Sequence, residues 1–514
     1  PRPAADAGYH WPHARGRVGS YGVSPHEGPR NLSAALAWSW RHPGGQYATT
    51  INGGPLLDEA MNIYLAAHDG IRKFSPEGKL LWTHLSEQGF TYSCPSLMGG
   101  AVFGSTASGY VFAVSMESGE AIWYRKLGES VGSDTPYVEA HQGLVLTAVE
   151  AGENGGNLRV VALNATGGGL VWDFEPDEPV WNFMPLFGGE GTVVFQDMDA
   201  GVYCLRLGDG RLVWREGNSG GRTWTDGGPT LGRNGVVYAV SVEAEFAQGT
   251  ADTPGTLMAF GLSDGRELWT RELHRPPNSF PVVGRLRPGA AGLSVVMPVG
   301  QQAALPGAVY AAFVALMGLV ASCWGLLAGL LRKCLRRCCC TRRAGPCVAC
   351  RWACLGLAFG IALGIFGIRV KMKLNLLLPP AYPSDVLALD AATGEVQWRW
   401  RGPTVRRYSS AGVAEGAVER LSRGVWDICL PGPWSAPALD ARGTVYVGAQ
   451  DGVLYALRDV DGDGRIAGAA EVDSFDMGGA FMHPGASLGP GLLAMASCDT
   501  LFVFCDPLAP EGAV

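Results

Sequence analysis

Short apolar runs, each five or six residues long and closed by a polar turn, recur along most of the chain: "YVFAV", "LRVVAL", "GVYCL", "TLMAF" and "DVLAL". Runs of this length, rich in Val, Leu, Tyr and Phe and bounded by Gly, Asp and Ser, predict buried β-strands. After each turn a glycine is followed four residues later by tryptophan, as in "GKLLW" (Gly78, Trp82), "GEAIW" (Gly119, Trp123), "GGLVW" (Gly168, Trp172), "GRLVW" (Gly210, Trp214), "GRELW" (Gly265, Trp269) and "GEVQW" (Gly394, Trp398). The glycine supplies the positive φ that a tight two-strand connection demands, and the tryptophan opens the next strand, where it can fill the seam between units. A second marker counts the units independently. A proline lies upstream of each strand set, at Pro55, Pro95, Pro136, Pro185, Pro229, Pro281, Pro437 and Pro484. Two degenerate units complete the tryptophan series, one through Trp40 in "LAWSW" and one through the long turn ending near Ile466.

Eight such units predict an all-β, eight-bladed β-propeller. Its first strand, "LAWSW", is an outer one and its last, "LFVF", an inner one, so the two ends of the chain complete one blade together. Closure of that kind removes exposed sheet edges. The pattern carried by Leu387, Ala388, Leu389, Asp390, Thr393, Gly394 and Trp398 resembles the pyrroloquinoline quinone (PQQ)-like repeat. That resemblance implies an eight-bladed propeller and two kinds of function: quinoprotein dehydrogenases, and non-enzymatic relatives such as the bacterial outer-membrane assembly lipoprotein. In the enzymes, it further implies a quinone held between a tryptophan and a vicinal disulfide, with calcium and a catalytic aspartate. Asp134 or Asp226 could serve as that aspartate under an oxidoreductase reading, but adjacent cysteines occur here only at Cys338, Cys339 and Cys340, far from any channel.

One interval breaks the rhythm. Between Trp269 and Trp398 lies a surplus that begins after "LSVVMPVG" and ends before "DVLALD", inside a single blade. The predicted organisation is an irregular N-terminal extension at 1–31, propeller at 32–302, an inserted membrane hairpin at 303–380 and the rest of the propeller at 381–508. Residues 307–331 carry no charge and are long enough to cross a bilayer as a helix, while the run at 352–368 is marginal. Propeller on both sides of the insert requires the chain to return, which favours two spans over one. The loop between them, "RKCLRRCCCTRRAGPCVACR", is basic and free of acid, so it is expected on the cytosolic side with the propeller luminal or extracellular. Clustered thiols in such a loop suit lipidation at Cys338, Cys339 and Cys340 and attraction to membrane lipid. The competing reading is zinc at the Cys347 and Cys350 pair. The cysteines elsewhere are odd in number and irregularly spaced, and predict no disulfide framework.

Charge narrows the partners. The net −7 conceals ten basic and no acidic residues between Gln301 and Ser384, leaving 30 basic against 47 acidic over the remainder. A propeller that acidic excludes nucleic acid as its partner. The segments just before the innermost strands should surround one mouth of the central channel. They bring Tyr92, Asp134, Trp181, Asn182, Trp224, Asp226, Asn278, Trp434 and His483 together, a set suited to a planar or sugar-like ligand or to filling the channel with packed side chains. "DVDGDGRI" places Asp459, Asp461 and Asp463 at alternate positions before Gly464, a candidate calcium turn, though Ala470 stands where the usual closing glutamate would be. Asn31 and Asn164 open glycosylation sequons. The function these features favour is a membrane-anchored module that binds a protein or small ligand. A membrane-bound quinoprotein oxidoreductase and a calcium-dependent surface adhesion protein are the alternatives.

Overall fold

Eight four-stranded antiparallel sheets form among the described residues, and each is one blade. The computed structural model describes residues 8–505 except 92–93, 130, 132–136, 153–154, 190, 218–222, 245–251, 304–317, 326, 328–354, 363–380, 408 and 424–430. Blades 1 to 5 run consecutively, each from a short innermost strand to a longer outer one: Leu56–Leu57 to Leu80–Leu85, Ser96–Met98 to Ala121–Lys126, Glu139–His141 to Leu170–Phe174, Leu186–Gly188 to Leu212–Gly217, and Thr230–Leu231 to Glu267–Leu273. Blade 6 joins Val282–Gly284 and Ser294–Gly300 to Ser384–Asp390 and Val396–Arg401, and Gly300 pairs with Ser384 in unbroken register across the long insertion. Blade 7 runs from Ala438–Leu439 to Val472–Asp476. In blade 8 the C-terminal strands Ser487–Gly489, Leu492–Ala496 and Thr500–Cys505 accept the N-terminal strand Leu36–Arg41 as their outer edge. The ring therefore closes as the sequence predicts.

The recurring glycine and tryptophan prove to be one contact made between neighbouring blades. Each glycine sits at positive φ, between 68° at Gly168 and 87° at Gly78. A Cβ built on Gly210 would lie 2.7 Å from the Trp172 ring, and the corresponding positions Gly119 and Gly265 meet Trp82 and Trp214 at 2.8 Å. The indole of one blade thus lies flat on the turn of the next, where only hydrogen fits. Its Nε1 then donates to a backbone carbonyl of the same turn, as from Trp172 to Leu207 at 2.8 Å and from Trp123 to Ala165 at 2.9 Å. In the closing blade this place belongs to Trp38, whose ring covers Gly78 and whose Nε1 donates to Pro76 at 2.7 Å. That corrects the expectation for Trp40. Register explains the exchange: the pairing slips between Leu36 and Trp38, as it slips between Leu212 and Trp214 in blade 4, so Trp38 takes the equivalent place. Trp40, two residues on, instead stacks under the Arg72 guanidinium.

Residues 8–30 are mostly irregular, with one two-stranded pair of Gly16–Arg17 and Ser20–Tyr21. They run across one end of the propeller, the end where the first and second strands of each blade turn. There they hydrogen-bond to all eight blades: Trp11 with Leu57, Pro12 with Leu97, Ala14 with Glu139, Tyr21 with Phe187, Ser20 with Arg233, Arg15 with Pro281, Gly22 with Leu439, and Ser24 with Leu488. Innermost strands present unpaired backbone groups to the channel, and this segment satisfies them. His13 and Glu139 form a pair at 2.7 Å with both side chains buried. The Arg15 guanidinium is buried beside them, and burial pulls it down to about 9.

A second feature had no counterpart in the sequence pattern. Between blades 6 and 7 the helix Val413–Ser422 packs through Gly416 onto Tyr47 and lays the buried Arg420 over the same ring at 5.2 Å. Cys498 is disulfide-bonded, while Cys94, Cys204 and Cys505 are free thiols. Counting cysteines could not reveal one bridge inside an odd and irregular set.

The insertion belongs to a separate compact unit, Ala303–Ala381 with Arg406–Ser409. Within it residues 318–325 and 355–362 are helical and cross closely. A Cβ on Gly356 would collide with the Ala321 carbonyl, and one on Gly318 would lie 3.0 Å from Leu357. Their outward side chains are apolar and exposed: Leu319 at 62%, Trp324 at 68%, Leu355 at 63% and Phe359 at 66%. Among the described residues no helix is long and apolar enough to cross a membrane, so the expected spanning hairpin is not supported. Most of both apolar runs, and Cys338, Cys339 and Cys340, lie outside the described residues.

Candidate functional site

The end of the channel opposite the N-terminal segment gathers the residues that precede the innermost strands. Asn182 adopts φ of 41°, a left-handed conformation that asparagine tolerates better than most residues. That turn lets its Nδ2 donate both to the Asp226 backbone carbonyl and to the Asp226 carboxylate Oδ1, each at 3.0 Å. His483 Nε2 stands 3.6 Å from the same carboxylate oxygen. The connections entering blades 4, 5 and 8 thereby converge on Asp226. Burial pushes the Asp226 carboxyl up and the His483 imidazole down, and each group partly opposes the shift of the other. Asn278 is buried nearby, and the Gly432 backbone approaches both Asn278 and His483.

Trp181 and Trp224 also meet here, with ring centroids 6.3 Å apart and planes at 76°. Edge-to-face rings leave no parallel slot between them, so a flat ligand cannot lie between these two rings. Trp434 is fully buried away from the channel, packed against Trp400 and Tyr455, with its Nε1 donating to Val299 at 3.2 Å. Tyr92 and Asp134 lie outside the described residues. Of the set expected from sequence, the structure brings together Asn182, Asp226, His483, Trp181 and Trp224.

The carboxylates of Asp459, Asp461 and Asp463 lie within 4.8 Å of one another. Each already accepts a backbone N–H of its own turn: Gly462 to Asp459 at 2.7 Å, Asp463 to Asp461 at 3.0 Å, and Arg465 to Asp463 at 2.7 Å. Glu471 ties the turn from the far side through Val460 and Ala467, both at 2.9 Å. Asp459 also holds Arg287 Nη2 at 2.7 Å, so a cation entering here would compete with a guanidinium. Asn164 is exposed at the end of strand Asn157–Asn164, and exposed Asn31 caps the short helix Leu32–Ala35 through Ala34 at 2.8 Å.

Residues 67–285 match the family model of the outer membrane protein assembly factor BamB, under half of the chain. No curated protein matches it. Among solved structures it is similar to BamB from Moraxella catarrhalis, at 16% identity over 92% of this chain and 98% of that one, with a TM-score of 0.50. The quinohemoprotein alcohol dehydrogenase from Comamonas testosteroni is 11% identical over 98% of this chain and 81% of that one, with a TM-score of 0.54. A europium-containing methanol dehydrogenase is 11% identical over 97% of this chain and 98% of that one, with a TM-score of 0.52. At these identities the likeness to solved structures is one of fold. The chain is an eight-bladed β-propeller of PQQ-like repeats, the fold shared by an assembly factor and by dehydrogenases.

Proposed function

We propose that this propeller is a binding module for a protein partner, held at a membrane by its inserted hairpin. The observation that carries the choice over an oxidoreductase is the state of the channel mouth. The Asp226 carboxylate is engaged by Asn182 and His483 and the two tryptophans meet edge to face, so the groups that would clasp a flat cofactor are occupied with one another. The match to an assembly-factor model points the same way. Calcium at Asp459, Asp461 and Asp463 would act as a brace for one turn on this reading. Titration with PQQ and calcium is expected to leave tryptophan fluorescence without saturable quenching, in the native chain and in the Trp181→Ala and Trp224→Ala variants alike. Saturable quenching that disappears in those variants would instead establish the oxidoreductase.

Membrane anchoring rests on the inserted unit. Helices that expose Leu319, Trp324, Leu355 and Phe359 outward while touching through glycine are built as helices in lipid are, with small residues inside and large apolar ones outside. An apolar exterior of that kind needs a cover. The disulfide at Cys498 fits a propeller facing an oxidising compartment, and the basic acid-free loop of the insert fits the cytosolic side. The full chain should remain in membranes through alkaline carbonate extraction, and a variant with 304–380 replaced by a short Gly-Ser linker should be released while keeping its urea midpoint. Release of the native chain under the same wash would remove the anchor from this proposal.

A further inference from the structure

The end of the propeller crossed by residues 8–30 carries an uneven distribution of charge. The turns joining first and second strands in blades 5, 6 and 7 contain Arg233, Arg285, Arg287 and Arg442, whereas the same turns in the other five blades contain no Lys or Arg, and that of blade 1 holds Asp58 and Glu59. On a propeller with 47 acidic residues against 30 basic ones outside the insert, a sector of arginines is the exception. Arg442 is consumed internally, since it is buried against Glu27 and the Gly28 carbonyl and pins the N-terminal segment. The other three surround a cavity of 290 Å³ whose apolar wall includes Val23, Val283, Leu293 and Leu439.

Each of these three guanidiniums is held by one edge. Arg233 donates to Ser20 Oγ from Nε at 3.2 Å and Nη2 at 2.7 Å, Arg285 Nε donates to the Ala290 carbonyl at 2.9 Å, and Arg287 Nη2 reaches Asp459 at 2.7 Å. A guanidinium has five N–H donors in a rigid fork, so each keeps donors to spare with its orientation already fixed. The acid that lines the cavity, Asp440, is turned inward: it accepts from the backbone of Gly28 at 3.0 Å, Arg442 at 2.9 Å and Thr444 at 2.7 Å. With Arg287 balanced by Asp459, and Arg442 shared between Glu27 and Asp440, the cavity keeps a net positive charge, carried at its rim by Arg233 and Arg285 above an apolar floor.

We infer that this cavity docks a short acidic segment of a protein partner, seating an apolar side chain on Val283 and Leu439 with a neighbouring carboxylate on Arg233 and Arg285. The inference rests on the reading of the propeller as a binding module and gives that module a recognition chemistry. The volume falls at the lower end of ligand pockets, which suits one or two side chains rather than a whole cofactor. An anionic bilayer fits less well, because the acids of the blade 1 turn at this same end would meet it too. Bidentate pairing of arginine with carboxylate supplies both attraction and geometry.

The test uses the purified full chain in detergent and two labelled peptides, Leu-Glu-Val-Glu-Leu and its neutral counterpart Leu-Gln-Val-Gln-Leu, read by fluorescence polarisation. The acidic peptide should bind saturably at low salt, weaken as salt rises, and lose about tenfold or more in affinity in the Arg233→Glu and Arg285→Glu variants. Both arginines are exposed, so folding should survive, and an unchanged urea midpoint checks that it does. The neutral peptide should not bind. Equal binding of both peptides, equal binding by the variants, or no binding by either peptide would overturn the inference. So would competition by glutarate or phosphate as strong as that of the acidic peptide, or arginine-dependent capture of phosphatidylserine vesicles without peptide binding. A partner that is still captured while the peptide fails would leave the binding-module reading intact and place its recognition elsewhere.

Discussion

A chain that begins at His42 is expected to be insoluble or oligomeric, and to be rescued when residues 1–41 are supplied as a separate segment. The deleted strand Leu36–Arg41 is the outer edge of blade 8, pairing Leu36 with Phe504, Trp38 with Val503 and Trp40 with Leu501. Its loss strips the ladder from Thr500–Cys505 and leaves an apolar strand with a free edge, a template for pairing between molecules. It also removes Trp38 from the Gly78 turn, and truncating a well-packed tryptophan alone costs about 3–5 kcal/mol. Size-exclusion chromatography of the shortened chain, with and without the co-expressed segment, gives the answer. A soluble monomer with the native urea midpoint would mean that the closing strand contributes little.

The second large effect concerns the seam itself. Gly210→Ala must place a side chain at φ of 70°, costing about 1–2 kcal/mol, and must also force its Cβ against a ring 2.7 Å away, which adds about 1–3 kcal/mol. Gly191 provides the control, since it has φ of 74° and open space where a methyl group would project, with nothing within 4 Å. Gly191→Ala should therefore show the backbone cost alone. In a Trp172→Ala background the Gly210 substitution should fall to the same small cost, because the ring it strikes is gone. Urea midpoints of the single and double variants form the cycle, and simple additivity would refute the contact as the reason for the repeat.

That contact explains what the sequence could and could not disclose. Gly210 and Trp172 belong to different blades, yet their spacing is legible because each blade repeats the same local geometry, and eight prolines mark the starts of the same units. The segment 8–30 repeats nothing. Its conformation is set by backbone and side-chain groups of blades far along the chain, so residues such as His13 and Arg15 give no local sign that they will be buried. The helix Val413–Ser422 escapes a reading by strand rhythm for a related reason, as it sits in a connection where that rhythm has no place for it. At the channel mouth the proline rule places Asn182, Asp226 and His483 at one end, but it does not foretell that they bind one another. The same rule misjudges the direction of Trp434, whose indole turns outward from the channel into the blade because the Val299 carbonyl and the Trp400 ring await it there.

The closing blade also sets a clock. Strand Leu36–Arg41 pairs with Thr500–Cys505, and at 5–20 residues per second a ribosome needs roughly 20–90 s to travel from one to the other. For that interval the first strand waits without its partner while seven blades form behind it. Completion of the ring then depends on strand Thr500–Cys505, so a chain cut short before it cannot close the ring. The edge left open on such a chain is a ready handle for chaperones and proteases, and circularity becomes a check that synthesis has passed this strand.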